Sequence, residues 1–249
     1  MGLGGAFVPL ADDATTAFAN PAGLVQLSRP EISVELRYHR YATPYTEGGR
    51  AVGEPTGLGI DTVDGIRTSF SEETSSGVSF ASFVYPGNKW SLAFYRHQLA
   101  DFTLKTEVNG LFGDIPGGET RRYEDQRTNT RLDIIGTGIA GAFQVSDRLS
   151  IGFGLSYFSG TVENLNSIYG IDSYPETFWE SNSYLNERLW STSTFEADDT
   201  DLGINLGFLW KFAESWRFGG VYRQGPRFAY DLYNRAGPAH PLPEGTVLD

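Results

Sequence analysis

The sequence predicts an all-β protein, and within that class a transmembrane antiparallel β-barrel of which about seven strands are present. Three observations carry this. Segments of period-two alternation recur along the chain, each with one apolar face. Short, turn-forming connections alternate strictly with long polar ones, which is the rule for barrels with tight turns on one side of a membrane and large loops on the other. The composition fits: 30 glycines, 14% aromatics and no window near 18 consecutive apolar residues. A membrane helix is therefore excluded, but barrel strands are not, because they present only every second residue to lipid.

The first alternating segment is Glu31 to Tyr41, with Ile32, Val34, Leu36 and Tyr38 on one face and Ser33, Glu35, Arg37 and His39 on the other. Gly77 to Tyr85 and Lys89 to Leu99 form a pair joined through Pro86-Gly87-Asn88, a tight-turn composition. Arg131 to Val145 and Leu149 to Gly160 form the next, joined through Ser146-Asp147-Arg148. The third pair is Thr200 to Phe212 and Trp216 to Gln224; Leu202, Ile204, Leu206, Phe208, Trp210 and Phe212 give it the longest apolar face in the chain.

Between the pairs run Ala42 to Ser76, Ala100 to Thr130 and Thr161 to Asp199, expected as long polar loops. Soluble domains rarely carry structureless loops of this length at every second junction. Tyr41, Tyr85, Trp90, Tyr157, Trp210 and Trp216 are expected to form aromatic girdles at the strand ends. An odd count of seven strands would leave a sheet edge unsatisfied in lipid, so the sequence is expected to hold only part of a barrel.

The 249 residues carry a net charge of −12, which argues against nucleic acid as a partner. Without cysteine there are no disulfides and no thiolate metal sites. No charged n-region and apolar h-region stand before the Gly-rich motif. For an exported protein the signal is therefore expected to have been removed, or the sequence to start at an internal methionine or to be a fragment, with truncation favoured.

Ahead of the first strand stands Gly2-Leu-Gly-Gly-Ala-Phe-Val-Pro-Leu-Ala-Asp-Asp-Ala-Thr-Thr-Ala-Phe-Ala-Asn-Pro-Ala-Gly23. This stretch closely resembles the N-terminal plug segment of the FadL/OmpP1/TodX family of outer-membrane proteins. The later Trp216-Arg-Phe-Gly-Gly-Val-Tyr-Arg223 is similar to that family's mid-barrel strand ending in an aromatic-Arg pair. The resemblance implies a fourteen-stranded barrel in a Gram-negative outer membrane, with residues 1–30 as a hatch in its lumen and residues 31–249 as about half of the strands. It further implies passive uptake of long-chain fatty acids or other hydrophobic compounds, with no cofactor and no enzymatic step.

Asn20, Pro21 and Gly23 match the hatch motif of the family. Physically they form a chain reversal, since proline fixes φ and glycine permits positive φ. Phe7, Val8, Leu10 and Phe18, with Leu24 and Val25, are the apolar hatch residues. They either line a ligand pocket in the lumen or pack the hatch onto the wall. By position, the third long loop corresponds to the family's outer capture surface. Its Tyr174, Phe178, Trp179, Tyr184, Leu189 and Trp190 are the candidate capture residues, with packing of a loop cap as the alternative.

Other constellations carry little. Gly2-Leu-Gly-Gly-Ala lacks the preceding strand of a dinucleotide site. His39, His97 and His240 lack metal-ligand spacing, and no metal or catalytic residue is expected. Asp198, Asp199 and Asp201 read as an acidic strand entry rather than a cation site. Arg121, Arg122, Arg127 and Arg131 are interleaved with Glu119, Glu124 and Asp125, which favours self-pairing over lipopolysaccharide contact.

The partners expected are a hydrophobic small molecule (fatty acid, alkane or aromatic hydrocarbon), outer-membrane lipid and lipopolysaccharide, around a monomeric barrel. An alternative from the same resemblance is a barrel that acts as a protein-interaction or shuttle component of a secretion system. A lipid hydrolase built on His97 with Ser91 or Ser82 is a third, weaker reading.

Overall fold

The computed structural model describes residues 13–58, 61–115, 119–170, 188–213, 216–229 and 233–238. Among them, none forms a helix long and apolar enough to cross a membrane. The described residues open with a one-turn helix, α1 (Thr16–Ala19), and a 3-10 segment (Pro21–Gln26). Ten strands follow: β1 (Glu31–Arg50), β2 (Ile66–Pro86), β3 (Trp90–Val108), β4 (Leu111–Ile115), β5 (Glu119–Arg122), β6 (Asp125–Ser146), β7 (Leu149–Tyr169), β8 (Leu189–Ala213), β9 (Trp216–Arg223) and β10 (Tyr233–Pro238). They form one sheet in the order β10-β8-β7-β6-β3-β2-β1-β4-β5, with β9 also on β8. Pairing is antiparallel except where β1 meets β4 over two residues. The fold is a partial β-barrel wall, as expected.

The seven expected strands correspond to β1, β2, β3, β6, β7, β8 and β9. The tight turns also fall where composition placed them. Gly87 N–H donates to Trp90 O, and Ser146 Oγ accepts from the Arg148 and Leu149 amides.

The long polar segments, by contrast, are mostly strand. β1, β2, β3, β6, β7 and β8 run for 20, 21, 19, 22, 21 and 25 residues. That is about twice the 9–11 residues a tilted strand needs to cross a bilayer. Alternation disappears in the outer halves because both faces are polar there, so periodicity gives no strand signal. Cross-strand polar pairs support the ladders instead. Arg40 pairs with Glu72, Arg127 Nε lies 2.9 Å from Glu107, and Asn164 donates to Thr130 Oγ1 over 2.7 Å. The segment between β3 and β6 holds a further hairpin, β4–β5.

The apolar stripe is turned outward. Ile32, Val34, Phe83, Phe94, Ile139, Phe143, Ile151, Phe153 and Leu206 are all exposed, whereas the alternate residues Val84, Ala93, Tyr95, Ala140, Ala142 and Leu209 are buried. This is the inverse of a soluble sheet and the arrangement lipid requires. Tyr85 and Trp90 (ring centroids 6.2 Å apart) and Phe212 and Trp216 (6.2 Å) cluster at the tight-turn rim, as expected of a girdle. Tyr41 does not belong to a girdle. β1 continues past it to Arg50, and its hydroxyl donates to Thr103 O while its ring stacks on Phe102.

The buried face is covered by the N-terminal segment. Ala14, Ala17, Leu24 and Leu27 pack with Phe80, Val84, Ala93, Tyr95, Ala140 and Ala142 in one cluster. One seam in the wall is irregular. β2 and β3 are paired only from Phe80↔His97 to Pro86↔Ser91, although both strands continue. Beyond that point side chains link them: Ser71 Oγ accepts from Lys105 N (2.9 Å) and Ser75 Oγ donates to Asp101 (2.5 Å).

Candidate functional site

The site is built where the N-terminal segment sits on the inner wall. Four residues of helix cannot hold themselves together in water, so the wall must supply the stability. α1 ends at Asn20, which is extended (φ −157°, ψ 98°), as a residue before proline must be. Pro21 then opens the 3-10 segment, where a missing N–H costs nothing, and Asn20 Oδ1 caps it by accepting from Ala22 N over 3.2 Å.

The reversal therefore lies at Asn20–Pro21. Gly23 sits inside the 3-10 segment and is not among the positive-φ glycines, so the expected role for left-handed glycine backbone does not hold.

Asn20, Pro21, Ala22, Gly23 and Leu24 are all buried. Asn20 Nδ2 donates to Phe208 O over 3.3 Å, tying the turn to β8. The close approach depends on two wall glycines. A Cβ on Gly152 would lie 2.2 Å from Ala22 N, and one on Gly207 would lie 2.0 Å from Asn20 Oδ1.

Phe18 marks the other end of the contact. Its ring centroid is 3.8 Å from that of His97 and 6.0 Å from that of Tyr95, with the Arg223 guanidinium 3.9 Å above it. A cation over an aromatic face is attracted by the ring quadrupole. The Phe18 carbonyl oxygen accepts from Asn205 Nδ2 and Arg223 Nη2, each over 2.7 Å, and Arg223 also reaches Ala19 O at 3.1 Å. Behind this cluster Tyr95 and Ser156 share a 2.7 Å hydrogen bond. The fully buried Phe158 fills the space left by Gly136 and Gly203, where a Cβ would come within 2.8 and 2.6 Å of its ring. Further fastenings are Ser82 Oγ to Ala14 O (3.3 Å), Ala14 N to Glu31 Oε1 (3.1 Å) and Arg217 to Gln26 Oε1 (3.1 Å).

Of the expected hatch residues, Phe18, Asn20, Pro21 and Gly23 thus come together on the wall, while Phe7, Val8 and Leu10 lie outside the described residues. Of the capture residues, Tyr174, Phe178, Trp179 and Tyr184 lie outside them too. Leu189 and Trp190 are not in a loop but open β8, with Leu189 opposite Tyr169 and Trp190 exposed. Sequence reasoning missed Tyr95, Gly152, Asn205 and Gly207. Only Arg223 had a signal, as the end of the aromatic-Arg strand.

The lesser constellations resolve as structure. His97 stacks on Phe18, and Ser82 is engaged with Ala14 O. Asp199 and Asp201 accept from the Ala229 and Arg227 amides, each over 2.7 Å, and Asp198 accepts from Thr161. Among the described residues no group of three or more potential ligands could hold a metal ion. Arg121 pairs with Glu124 and the buried Arg122 with Asp125, each at 3.0 Å.

At the far end of the wall, buried Arg50 joins the 51–65 loop to the β4–β5 hairpin. It pairs with Asp61, reaches Asp114 at 2.6 Å and donates to Gly53 O at 3.1 Å. Hydrogen bonds from Thr56, then Thr120 and the Arg50 charge, hold the Asp61 carboxyl down to about 2.

A family model described as outer membrane protein transport protein (OMPP1/FadL/TodX) matches residues 1–239. Among solved structures, the chain is similar to a crystal structure of a Pseudomonas aeruginosa FadL homologue, with 17% identity over 90% of this chain and 50% of that one, at a TM-score of 0.43. The chain spans half the length of that homologue. No curated protein matches it. With a wall turned apolar side out and a family match over residues 1–239, the chain belongs to the OMPP1/FadL/TodX family of outer membrane transport proteins.

Proposed function

We propose that this chain forms the hatch-bearing part of an outer-membrane barrel that takes up hydrophobic small molecules: long-chain fatty acids, alkanes or aromatic hydrocarbons. Residues 1–30 act as the hatch and residues 31–249 as barrel wall and outer loops. The observation that carries this reading is the seating of Asn20–Leu24 on the inner face of a wall whose outer face is apolar. A plug fastened by a few hydrogen bonds and a glycine patch can move without unfolding the wall. Its movement is driven only by a ligand that binds the two positions unequally.

The incomplete β2–β3 ladder supports the same reading. Where paired backbone gives way to side-chain links, a wall opens with less loss than at a continuous ladder. Beside it, an outward apolar groove of about 530 Å³ is lined by Ile32, Val34, Phe83, Phe94, Ile139 and Leu155 among others. The barrel works as a passive, monomeric conduit surrounded by lipid and lipopolysaccharide. Any outer capture surface extends from Trp190 toward the aromatic residues Tyr174 to Tyr184.

The test is uptake of radiolabelled oleate, decane and toluene by cells that express the full-length protein or a version without residues 1–23. Uptake above the vector control, altered by loss of the hatch, is expected. Uptake of none of the three compounds above control rejects the transport reading.

A further inference from the structure

We propose that Asn205 and Arg223 are positioning residues that latch the hatch, by holding the Phe18 carbonyl oxygen from two adjacent strands. The inference rests on the transport reading and deepens it. The two residues are direct cross-strand partners on β8 and β9. Both donate to the same oxygen over 2.7 Å, and Arg223 adds a 3.1 Å bond to Ala19 O. That oxygen lies in the last turn of α1, where carbonyls have no intrahelical partner and need donors from outside.

Among the described residues the hatch is fastened unequally. At Ala14 its ties run to Ser82 and Glu31 on β2 and β1. At Asn20–Ala22 it rests by shape on Gly152 and Gly207. At Phe18–Ala19 the Arg223 guanidinium holds two backbone oxygens of the hatch, and like the Glu31 carboxylate at Ala14 it makes charge-assisted bonds, the stronger kind. The same guanidinium covers the Phe18 ring, with His97 against that ring as well, so backbone and side chain are held at one residue. Arg223 is set near the end of β9, an eight-residue strand paired to β8 only from Asn205 to Ala213. A small shift of β9 therefore separates Arg223 from Phe18 while the β6–β7–β8 wall stays intact.

These 249 residues contain no cysteine, so Ala17→Cys in the full-length protein, with any cysteine elsewhere replaced by serine, reports on the latch. Ala17 is fully buried between hatch and wall, and its labelling by a bulky, polar maleimide requires the hatch to lift. Arg223→Gln and Asn205→Ala are each expected to raise the labelling rate about tenfold or more, with Arg223→Lys in between. Heat-modifiable gel mobility identifies barrels that remain folded. Should Arg223→Gln fail to assemble, Asn205→Ala and Arg223→Lys carry the measurement. Unchanged labelling in folded Asn205→Ala and Arg223→Lys barrels overturns the latch. So does a Phe18→Leu variant, which keeps the carbonyl, labelling as fast as the polar variants. Oleate uptake measured in parallel keeps the two readings apart: faster labelling with no uptake by any variant or the native protein leaves the latch and rejects transport.

Discussion

Gly152 on β7 and Gly207 on β8 stand directly opposite each other in the ladder, and the bare patch they leave is where Asn20, Pro21 and Ala22 rest. A paired glycine toward the tight-turn ends of two long strands weakens the sheet locally, since it contributes no side chain to packing. Its use here is close approach of a second backbone.

Gly207→Ala is expected to lift the hatch, because the new Cβ would lie 2.0 Å from Asn20 Oδ1 and 3.2 Å from Pro21 Cδ. Overpacking of this kind costs about 1–3 kcal/mol. Hydrogen exchange should quicken at residues 14–27 and not in β6–β8. Gly141→Ala, whose Cβ meets nothing nearer than Leu92 Cδ2 at 3.4 Å, is the control and should leave the hatch in place.

Asn20→Ala removes the cap on the 3-10 segment and the bond to Phe208 O in a fully buried position. A loss of about 1–2 kcal/mol in the local opening free energy of the hatch is expected. Exchange rates within residues 20–27 measure it, and rates equal to the native protein's would show that proline and packing alone set the turn.

Phe153→Arg places a charge on the outward face, midway along an apolar run from Ile151 to Tyr157. If that face meets lipid, the folded barrel should lose about 2–4 kcal/mol, read as a lower urea midpoint in bilayers. An equal midpoint would mean that this face is not against the hydrocarbon.

The Arg50 hub should be sensitive to acid and not to mild base. Asp61 has its carboxyl lowered from 3.8 to about 2 in the folded loop. Its contribution is therefore fully present above about pH 4 and is lost as pH falls through about 2. Protease cutting in the 51–65 loop should rise only across that interval, and Asp61→Asn should flatten the dependence. A rise between pH 7 and 5 would point to another group.

Barrel class and tight turns were legible in the sequence because each depends on local chemistry. Alternation at Leu149–Tyr157 marks a strand with one apolar face. Pro86-Gly87-Asn88 marks a turn, and Asn20-Pro21 a break. The outer strand halves were not legible. From Thr161 to Tyr169 polar residues fall on both faces, and it is the ladders to Asp125–Asp133 of β6 and Leu189–Asp198 of β8 that make that stretch a strand. The β4–β5 hairpin was hidden for the same reason, its anchor being a buried Arg50 some sixty residues earlier in the chain.

What the sequence by itself determined is which residues alternate and where the chain turns. These follow from side-chain period and from the backbone limits of proline and its neighbour. The tertiary structure alone decided which way the apolar face looks and what holds the plug. Period two separates two faces without saying which is inner; here the small residues Ala93, Ala140, Gly152 and Gly207 are inside because the hatch lies on them. The pairing of Asn205 with Arg223, and of both with an oxygen nearly two hundred residues away, is a product of register, which no local pattern encodes.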